Sequence, residues 1–302
     1  MKPNGWIIYN GSLKGGSFLD YASMLQEAMI RKNSQAKIIS NTDLPVLLHQ
    51  EQLELVSKNT FAKPDYVLFA DKDIYLARQL EWMDLQVFNK AETIAVSDDK
   101  IATYQRLARA GLPIPKTIVS PKVFLQHDLE KFSYTEAVIK ELGFPMIVKE
   151  AFGSFGEQVH LIQEKSGLLD IIRRLHGKPF MFQEFIQTSY GTDVRLQVVG
   201  NRVVAAMKRI ARDDFRANVT AGASMEPYHP TYTEEKLAVA AAKTIDADFA
   251  GIDLLFGKTS PVVCEINSNA HIRNLLNCTG TNAADFIADH VLQSIQSEGV
   301  SQ

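Results

Sequence analysis

The chain has 302 residues, 46% hydrophobic and 22% charged, a composition that excludes extensive disorder and, at roughly 150 residues per domain, predicts two domains or three small ones. Lys and Arg total 32 against 35 Asp and Glu, a formal net charge of −3, so the basic excess of a general nucleic-acid binder is missing. No stretch approaches the ~18 consecutive apolar residues of a membrane span, residues 6–9 are too short an apolar run for a signal peptide, and Cys264 and Cys278 form neither a CxxC pair nor a disulfide framework. The expected protein is cytoplasmic, with no nucleic-acid and no membrane partner.

Residues 1–95 read as an N-terminal α/β domain. The apolar strand at 6–9 runs into a Gly-rich loop at 11–16, and Leu19, Met24, Leu25, Ala28 and Met29 then recur at helical spacing. Residues 36–39, 66–69 and 85–88 are further buried strands, and the segments between them are long enough for helical crossovers, which predicts a small parallel sheet. Residues 96–186 form a second unit. It opens with a helix over 98–110, capped by Asp98 or Asp99 and stopped by Gly111 and Pro113. Two hairpin-like pairs of strands follow at 117–119, 146–149, 159–162 and 179–182, with helices at 132–142 and 164–176. Residues 187–302 read as antiparallel sheet with helices near 233–244 and 283–296. Val194, Leu196 and Val198 alternate with Asp193, Arg195 and Gln197, so one strand face is polar. Gly200 and Asn201 mark a hairpin turn.

Three groups of residues carry chemistry. Glu265 and Asn267 lie two apart in an apolar strand and share a face. Asp253 is as far from residue 259 as Glu265 is, so a symmetric hairpin sets the two carboxylates opposite each other. Three hard oxygen ligands on one patch suit Mg²⁺, although the same residues also fit a solvent-facing strand. Residues 151–157 follow Lys149 at the end of an apolar strand, and a Gly-containing loop with Ser154 can cover a phosphate through backbone N–H groups; alone it is equally a hairpin turn. The loop at 11–16 is either a phosphate loop or a plain strand-to-helix connection. The third group is a set of cations, Lys100, Lys149, Arg195, Arg209 and Arg216, which together can neutralise a polyphosphate. Cys264 alternates away from Glu265 and is expected in the core. His271 either faces the site or packs structurally.

Taken in order, these strings resemble the ATP-grasp superfamily, specifically the RimK/LysX-type carboxylate–amine ligases. The matching residues are Asp98 to Lys100, Pro145 to Lys149, Gly153 to Gly156, Gln183 to Ile186, Asp193 to Arg195, Val198 to Gly200, Phe215 to Asn218, Gly251 to Asp253, Glu265 to Asn267 and Thr279 to Ala283. They span about residues 86–297. The resemblance implies an α/β (α+β) architecture, an ATP-grasp fold preceded by a small Rossmann-like domain. It implies ATP and two Mg²⁺ ions, with Mn²⁺ as a substitute. Lys100 and Lys149 would contact phosphates, and Ser154 and Gly156 would belong to the loop closing over them. In the segment Gln183–Ile186, Glu184 would bind ribose or the adenine edge, and the main chain of Phe185 and Ile186 would read adenine. Asp193 would hold the ribose, and Asp253, Glu265 and Asn267 the metals. Arg209 and Arg195 would serve the reacting groups, with Arg216 and Asn218 lining the nucleotide and acceptor site.

The implied reaction joins the amine of an amino acid to a carboxylate of a peptide, protein or small molecule, through an acylphosphate, with release of ADP and phosphate. A regulatory ATP-binding protein on the same fold, or dipeptide or D-amino-acid ligation, are the alternatives. A homo-oligomer, dimer or tetramer, is expected. The sequence leaves the family pattern at Phe185, where Tyr is usual, and at 268–273 after the metal strand. The second departure makes Asn269, His271 and Arg273 the expected acceptor-specificity residues.

Overall fold

The structure, a computed structural model, describes residues 2–13, 16–50, 52–57, 61–123, 134–154, 156–217 and 222–299. Asn218 lies outside the described residues, as do parts of the loop at 11–16 and the first residues of the helix expected from 132.

The first unit alternates strand and helix: β1 (Asn4–Tyr9), α1 (Ser17–Arg31), β2 (Gln35–Ser40), β3 (Val46–His49), β4 (Gln52–Leu55), β5 (Tyr66–Ala70), α2 (Ile74–Trp82) and β6 (Val87–Phe88). Its parallel sheet has the order β2-β1-β5-β6. The helical spacing in α1 is realised except at its start: Met24, Leu25, Ala28 and Met29 are buried together against the sheet with Tyr21, whereas Leu19 is exposed. Burying side chains of this size contributes roughly 1.5–3 kcal/mol each. The crossover from β2 to β5 is not helical as expected. It holds a short turn at Asn41–Asp43, capped by the Ser40 side chain, and then the hairpin of β3 and β4. Pro45 disfavours helix at Leu44 and cannot sit in a helix interior, so the segment extends instead.

The second unit begins with α3 (Ala91–Asp98) and α4 (Lys100–Arg109). The single helix expected from Asp98 is therefore the second of two. Asp99 caps it, accepting from the N–H groups of Ile101 and Ala102 at 2.9 and 3.1 Å. Helix α3 escaped the periodicity test because it is buried on several sides, through Ala91, Thr93, Ile94 and Val96. An antiparallel sheet follows: β7 (Thr117–Val119), β8 (Met146–Glu150), β9 (Val159–Ile162) and β10 (Phe180–Glu184), ordered β7-β10-β8-β9, with α5 (Thr135–Leu142) and α6 (Lys165–Arg174) on it. Its core, which includes Val138, Met146, Val148, Leu168, Ile172 and Phe182, shares no residue with the other cores.

The third unit is an antiparallel sheet ordered β13-β12-β11-β14-β15, from β11 (Thr192–Val199), β12 (Arg202–Ile210), β13 (Ser224–Pro227), β14 (Phe249–Phe256) and β15 (Pro261–Asn267). Helix α7 (Tyr232–Thr244) starts in a capping box of Thr231 and Glu234 and packs on the apolar face of Val194, Leu196, Val198, Ile252 and Leu254. Helices α8 (Arg273–Thr279) and α9 (Ala283–Gly299) end the chain's described part, α8 being unforeseen. Ala284, Ile287, Ala288 and Val291 of α9 share one core with the buried face of α1. Buried Asn89 reinforces that junction: its amide donates to the Phe249 and Ser268 carbonyls at 2.8 and 3.1 Å and accepts from Asp248 N–H at 2.7 Å. The first and third units are thus fused through apolar core; α3 and α4 join them, with Ile94 in the first unit's core and Val96 and Leu107 in the third's, and it is the β7–β10 sheet that faces them across a cleft. No helix among the described residues is long and apolar enough to cross a membrane.

Candidate active site

The polar face of the third sheet is set by register. Arg195 lies opposite Asp253, Asp253 opposite Glu265, Asp193 opposite Arg209, and Gly251 opposite Asn267. The expected pairing of Asp253 with Glu265 is present, but a bulge produces it. Phe256 pairs with Pro261, which centres the turn half a residue early, and the ladder shifts between Asp253 and Leu254 so that Cys264 is the extra residue. The bulge also overturns the expectation for Cys264. Val263 and Ile266 point into the core, whereas the Cys264 sulfur lies 3.9 Å from Lys149 Nζ, in the cleft. Burial pushes its thiol up to about 11, with Lys149 opposing. Gly251 is required where it stands, since a Cβ there would meet Ala270 Cβ at 2.6 Å.

Asp193, Arg209, Asp253 and Arg195 form one buried chain of alternating charge. Arg209 forks Asp193 at 2.7 and 2.5 Å and reaches Asp253 at 2.8 Å; Arg195 forks Asp253 at 2.7 and 2.7 Å. Withdrawing such charges from water costs several kcal/mol each unless they pair and hydrogen-bond as here. Burial, helped by the neighbouring Asp253 charge, raises the Asp193 carboxyl against the pull of Arg209 and, more weakly, Arg195. Burial also works against Asp253, but two guanidiniums outweigh it and hold that carboxyl below the usual range. The network uses both carboxylate oxygens of Asp193, expected at the ribose, and of Asp253, expected at the metal.

Glu265 is less committed: its nearest cation is Lys100, 3.7 Å away, and its side chain is 34% exposed. Asn267 has a buried amide nitrogen with no partner. A half-turn exchanges amide nitrogen and oxygen, so the same position can present an oxygen. Among the described residues no group of three His, Cys, Asp or Glu side chains gathers to hold a metal. The oxygen donors of Glu265 and Asn267, with Asp253 beside them, nevertheless fit a hard cation that takes few protein ligands and keeps the rest of its shell for water and phosphate.

The opposite wall belongs to the second unit. Lys149 on β8 is 7% exposed. Its Nζ sits 5.7 Å from the Tyr104 ring centroid and makes no ion pair among the described residues. A buried ammonium without an anion is costly unless a ligand supplies one. Lys100, at the start of α4, donates from Nζ to the Gly153 carbonyl at 2.7 Å. Arg216, forked on Asp214, donates to the Gly156 carbonyl at 2.7 Å. The loop at 153–156 is thus held at both ends by cations, and its glycines adopt φ of 131° and 74°, which favour Gly. Ser154 meets a residue the sequence did not single out: Lys72, from the β5–α2 loop, whose Nζ lies 3.4 Å from Ser154 Oγ and 2.5 Å from Asp98. Nothing local in Asp71, Lys72 and Asp73 signals this contact across units.

The segment after β10 is braced by its own side chains. Gln183 is buried, donating to Thr117 Oγ1 at 2.9 Å, and Glu184 accepts from Lys116 N–H at 2.7 Å. Phe185 packs edge-on to Tyr190 and Phe215, and Ile186 heads a short turn at Gln187–Ser189.

The three expected specificity residues are spread out. The Asn269 amide donates to the Asp71 carbonyl at 2.6 Å. His271 packs against Phe18 and Tyr21, and burial lowers its pKa, with Arg195 adding to the effect. Arg273 is exposed and forks Asp20 at 2.9 and 2.6 Å. Asp71 itself accepts from the Asn10 amide, and burial pushes its carboxyl up.

Known proteins match this arrangement over most of the chain. The RimK-like ATP-grasp domain family matches residues 97–291. The uncharacterized protein MG012 homolog of Mycoplasma pneumoniae is 32% identical over 92% of this chain and 95% of its own length. A probable alpha-L-glutamate ligase of Legionella pneumophila is 35% identical over 71% of this chain and 69% of its own. Beta-citrylglutamate synthase B of Danio rerio is 33% identical over 76% of this chain and 56% of its own. Among solved structures, the ATP-grasp ligase PsnB with minimal precursor, Mg and ADP superposes with a TM-score of 0.70 at 17% identity, covering 97% of this chain and 98% of that one. D-alanine–D-alanine ligase of Bacillus anthracis gives a TM-score of 0.68 at 15% identity over 98% and 99%. Those two share the fold. With the family match covering the second and third units and the cleft between them, the chain belongs to the RimK-like ATP-grasp family of ligases.

Proposed function

We propose that the chain is an ADP-forming carboxylate–amine ligase that takes ATP and Mg²⁺ in the cleft between the second and third units. One observation carries this reading: buried Lys149, which has no ion-pair partner among the described residues, faces a third-sheet patch with the part-exposed Glu265 carboxylate and an unpartnered Asn267 amide. A polyphosphate with a divalent cation answers both needs at once. ATP supplies the phosphoryl group that converts a substrate carboxylate into an acylphosphate, and Mg²⁺ screens the phosphate charge.

The residues divide the remaining work. Lys149 and Lys100 neutralise phosphate oxygens. Glu265 and Asn267 hold the cation, with Asp253, engaged by Arg195 and Arg209, beside them. Arg209 and Arg195, fixed by Asp193 and Asp253, present rigid donors toward the reacting centre, where preorganised charge is worth most. Ser154 and Gly156, latched by Lys72, Lys100 and Arg216, form a loop that shields the acylphosphate from water. The backbone of Phe185 and Ile186, braced by Gln183 and Glu184, serves adenine recognition. Asn269, His271 and Arg273 lie toward the first unit, where acceptors approach. Units of 1–95, 96–186 and 187–302 and a cytoplasmic setting suit this role.

The test is ADP release in a panel crossing amino acids with mono- and dicarboxylates and short peptides, with mass spectrometry of the products. ADP release that needs both an amine and a carboxylate, with a product lighter than their sum by one water, supports the reading. ADP release independent of any amine contradicts it.

A further inference from the structure

We infer that the crevice at the carboxyl ends of β1 and β5 is a subsite for a protonated amine of the substrate, bound by the Asp71 carboxylate and the amide oxygen of Asn269; this rests on the ligase reading above and narrows its substrate. Topology comes first. The first sheet is parallel with order β2-β1-β5-β6. The chain leaves β1 for β2 on one side and returns past β1 to β5 on the other, so the order reverses between β1 and β5. In open parallel sheets, ligands bind outside the carboxyl ends of the strands at such a reversal. Asn10 directly follows β1 and Asp71 directly follows β5.

Chemistry then selects the ligand. Asp71 is 7% exposed and has no cation within ion-pairing distance among the described residues. Its donors are neutral: the Asn10 amide, 3.1 and 3.3 Å from the two oxygens, and the backbone N–H groups of Lys72 and Asp73. A carboxylate so withdrawn from water is stabilised by a cation far more than by a neutral amide. Asn269 adds a second acceptor. Its Nδ2 donates to the Asp71 carbonyl at 2.6 Å, which fixes the amide orientation, because a flip would set oxygen against oxygen. Its Oδ1 is buried with no donor. A buried carboxylate without a cation and an amide oxygen without a donor describe a site for an ammonium. The site also adjoins the reaction: Asn269 follows Asn267 by two residues, and Lys72, next to Asp71, touches Ser154 of the phosphate loop.

The competing view is that Asp71 merely braces its loop on Asn10. Asp71→Asn separates the two, since it keeps the shape and one acceptor oxygen for Asn10 and removes the charge. Protein with Mg–AMPPNP is titrated calorimetrically with L-glutamate, with 1,5-diaminopentane, and with the N-acetylated form of each. At least one ammonium-bearing probe is expected to bind tenfold or more tighter than its acetylated form. Asp71→Asn should erase that preference, Asn269→Ala should reduce it, and AMPPNP affinity and the thermal midpoint should hold. Preference for L-glutamate identifies an α-ammonium, and preference for the diamine a side-chain ammonium. Equal binding of acetylated probes to the wild type, or an unchanged preference in Asp71→Asn, overturns the inference. Failure of the ligase reading looks different: ammonium binding persists while ADP release needs no amine.

Discussion

Lys149 and Asp253 show how burial divides charges into those the fold has satisfied and those it leaves for a ligand. Asp253 sits between two guanidiniums, whereas Lys149 has only Cys264 and the Tyr104 ring nearby. Lys149→Met should therefore weaken Mg–ATP binding at least tenfold while leaving the ligand-free thermal midpoint unchanged or higher, as titration and calorimetry would report. Arg209→Met should behave oppositely. It strands buried Asp193 and leaves Asp253 to Arg195 alone, and should lower stability by about 3–5 kcal/mol, visible in a urea midpoint. Glu265→Gln should abolish turnover without a change in midpoint, because a partly exposed carboxylate with a cation 3.7 Å away contributes little to the fold. At this scale the sequence revealed which residue types gather but not which partners they take. Nothing in the string tells that Asp193 and Asp253 share Arg209, or that Lys72 reaches Ser154, since both depend on side-chain reach across strands and units.

Elements were legible where period and punctuation agreed. Helix α1, the hairpin turn at Gly200 and Asn201, and the strands of the second sheet follow from spacing alone. Two misreadings have a common cause, which is that a local pattern was judged without its neighbours. The β3–β4 hairpin stands where a helical crossover was expected from segment length alone, without weighing Pro45, which turns the chain to extended structure. The bulge at Cys264 cannot be read from residues 251–267, yet it turns Cys264 into the cleft while keeping Glu265 opposite Asp253. Helix α4 offers a clean test. Asp99→Ala removes two N-terminal hydrogen bonds and should cost about 1 kcal/mol. Because Lys100 is the first residue of that helix, Mg–ATP affinity should fall as well, and titration alongside denaturation measures both.

On the scale of the molecule, shared and separate cores set what moves. The first and third units share a core through α1 and α9, and α3 and α4 join them through Ile94, Val96 and Leu107, while the β7–β10 sheet keeps its own core around Phe182 and Leu168. The cleft is therefore expected to close by motion of that sheet, with α5 and α6, against the rest, carrying the loop at 153–156. Hydrogen exchange should slow in residues 151–158 on addition of Mg–AMPPNP and stay unchanged along the α1–α9 contact; equal slowing in both would contradict such a division. The ordered motifs pointed in the sequence to the two walls of the proposed nucleotide site. The β1–β5 crevice stayed hidden, because it depends on a strand reversal and on side chains nearly two hundred positions apart, Asp71 and Asn269.

The most direct test of the central claim follows oxygen. Once the panel identifies a carboxylate substrate, it is supplied with ¹⁸O in both carboxylate oxygens, together with Mg–ATP and the amine, and the released phosphate is analysed by mass spectrometry. Passage through an acylphosphate predicts one ¹⁸O per phosphate formed, because the carboxylate oxygen that attacks phosphorus leaves with it. Phosphate containing only solvent and ATP oxygen would contradict the account.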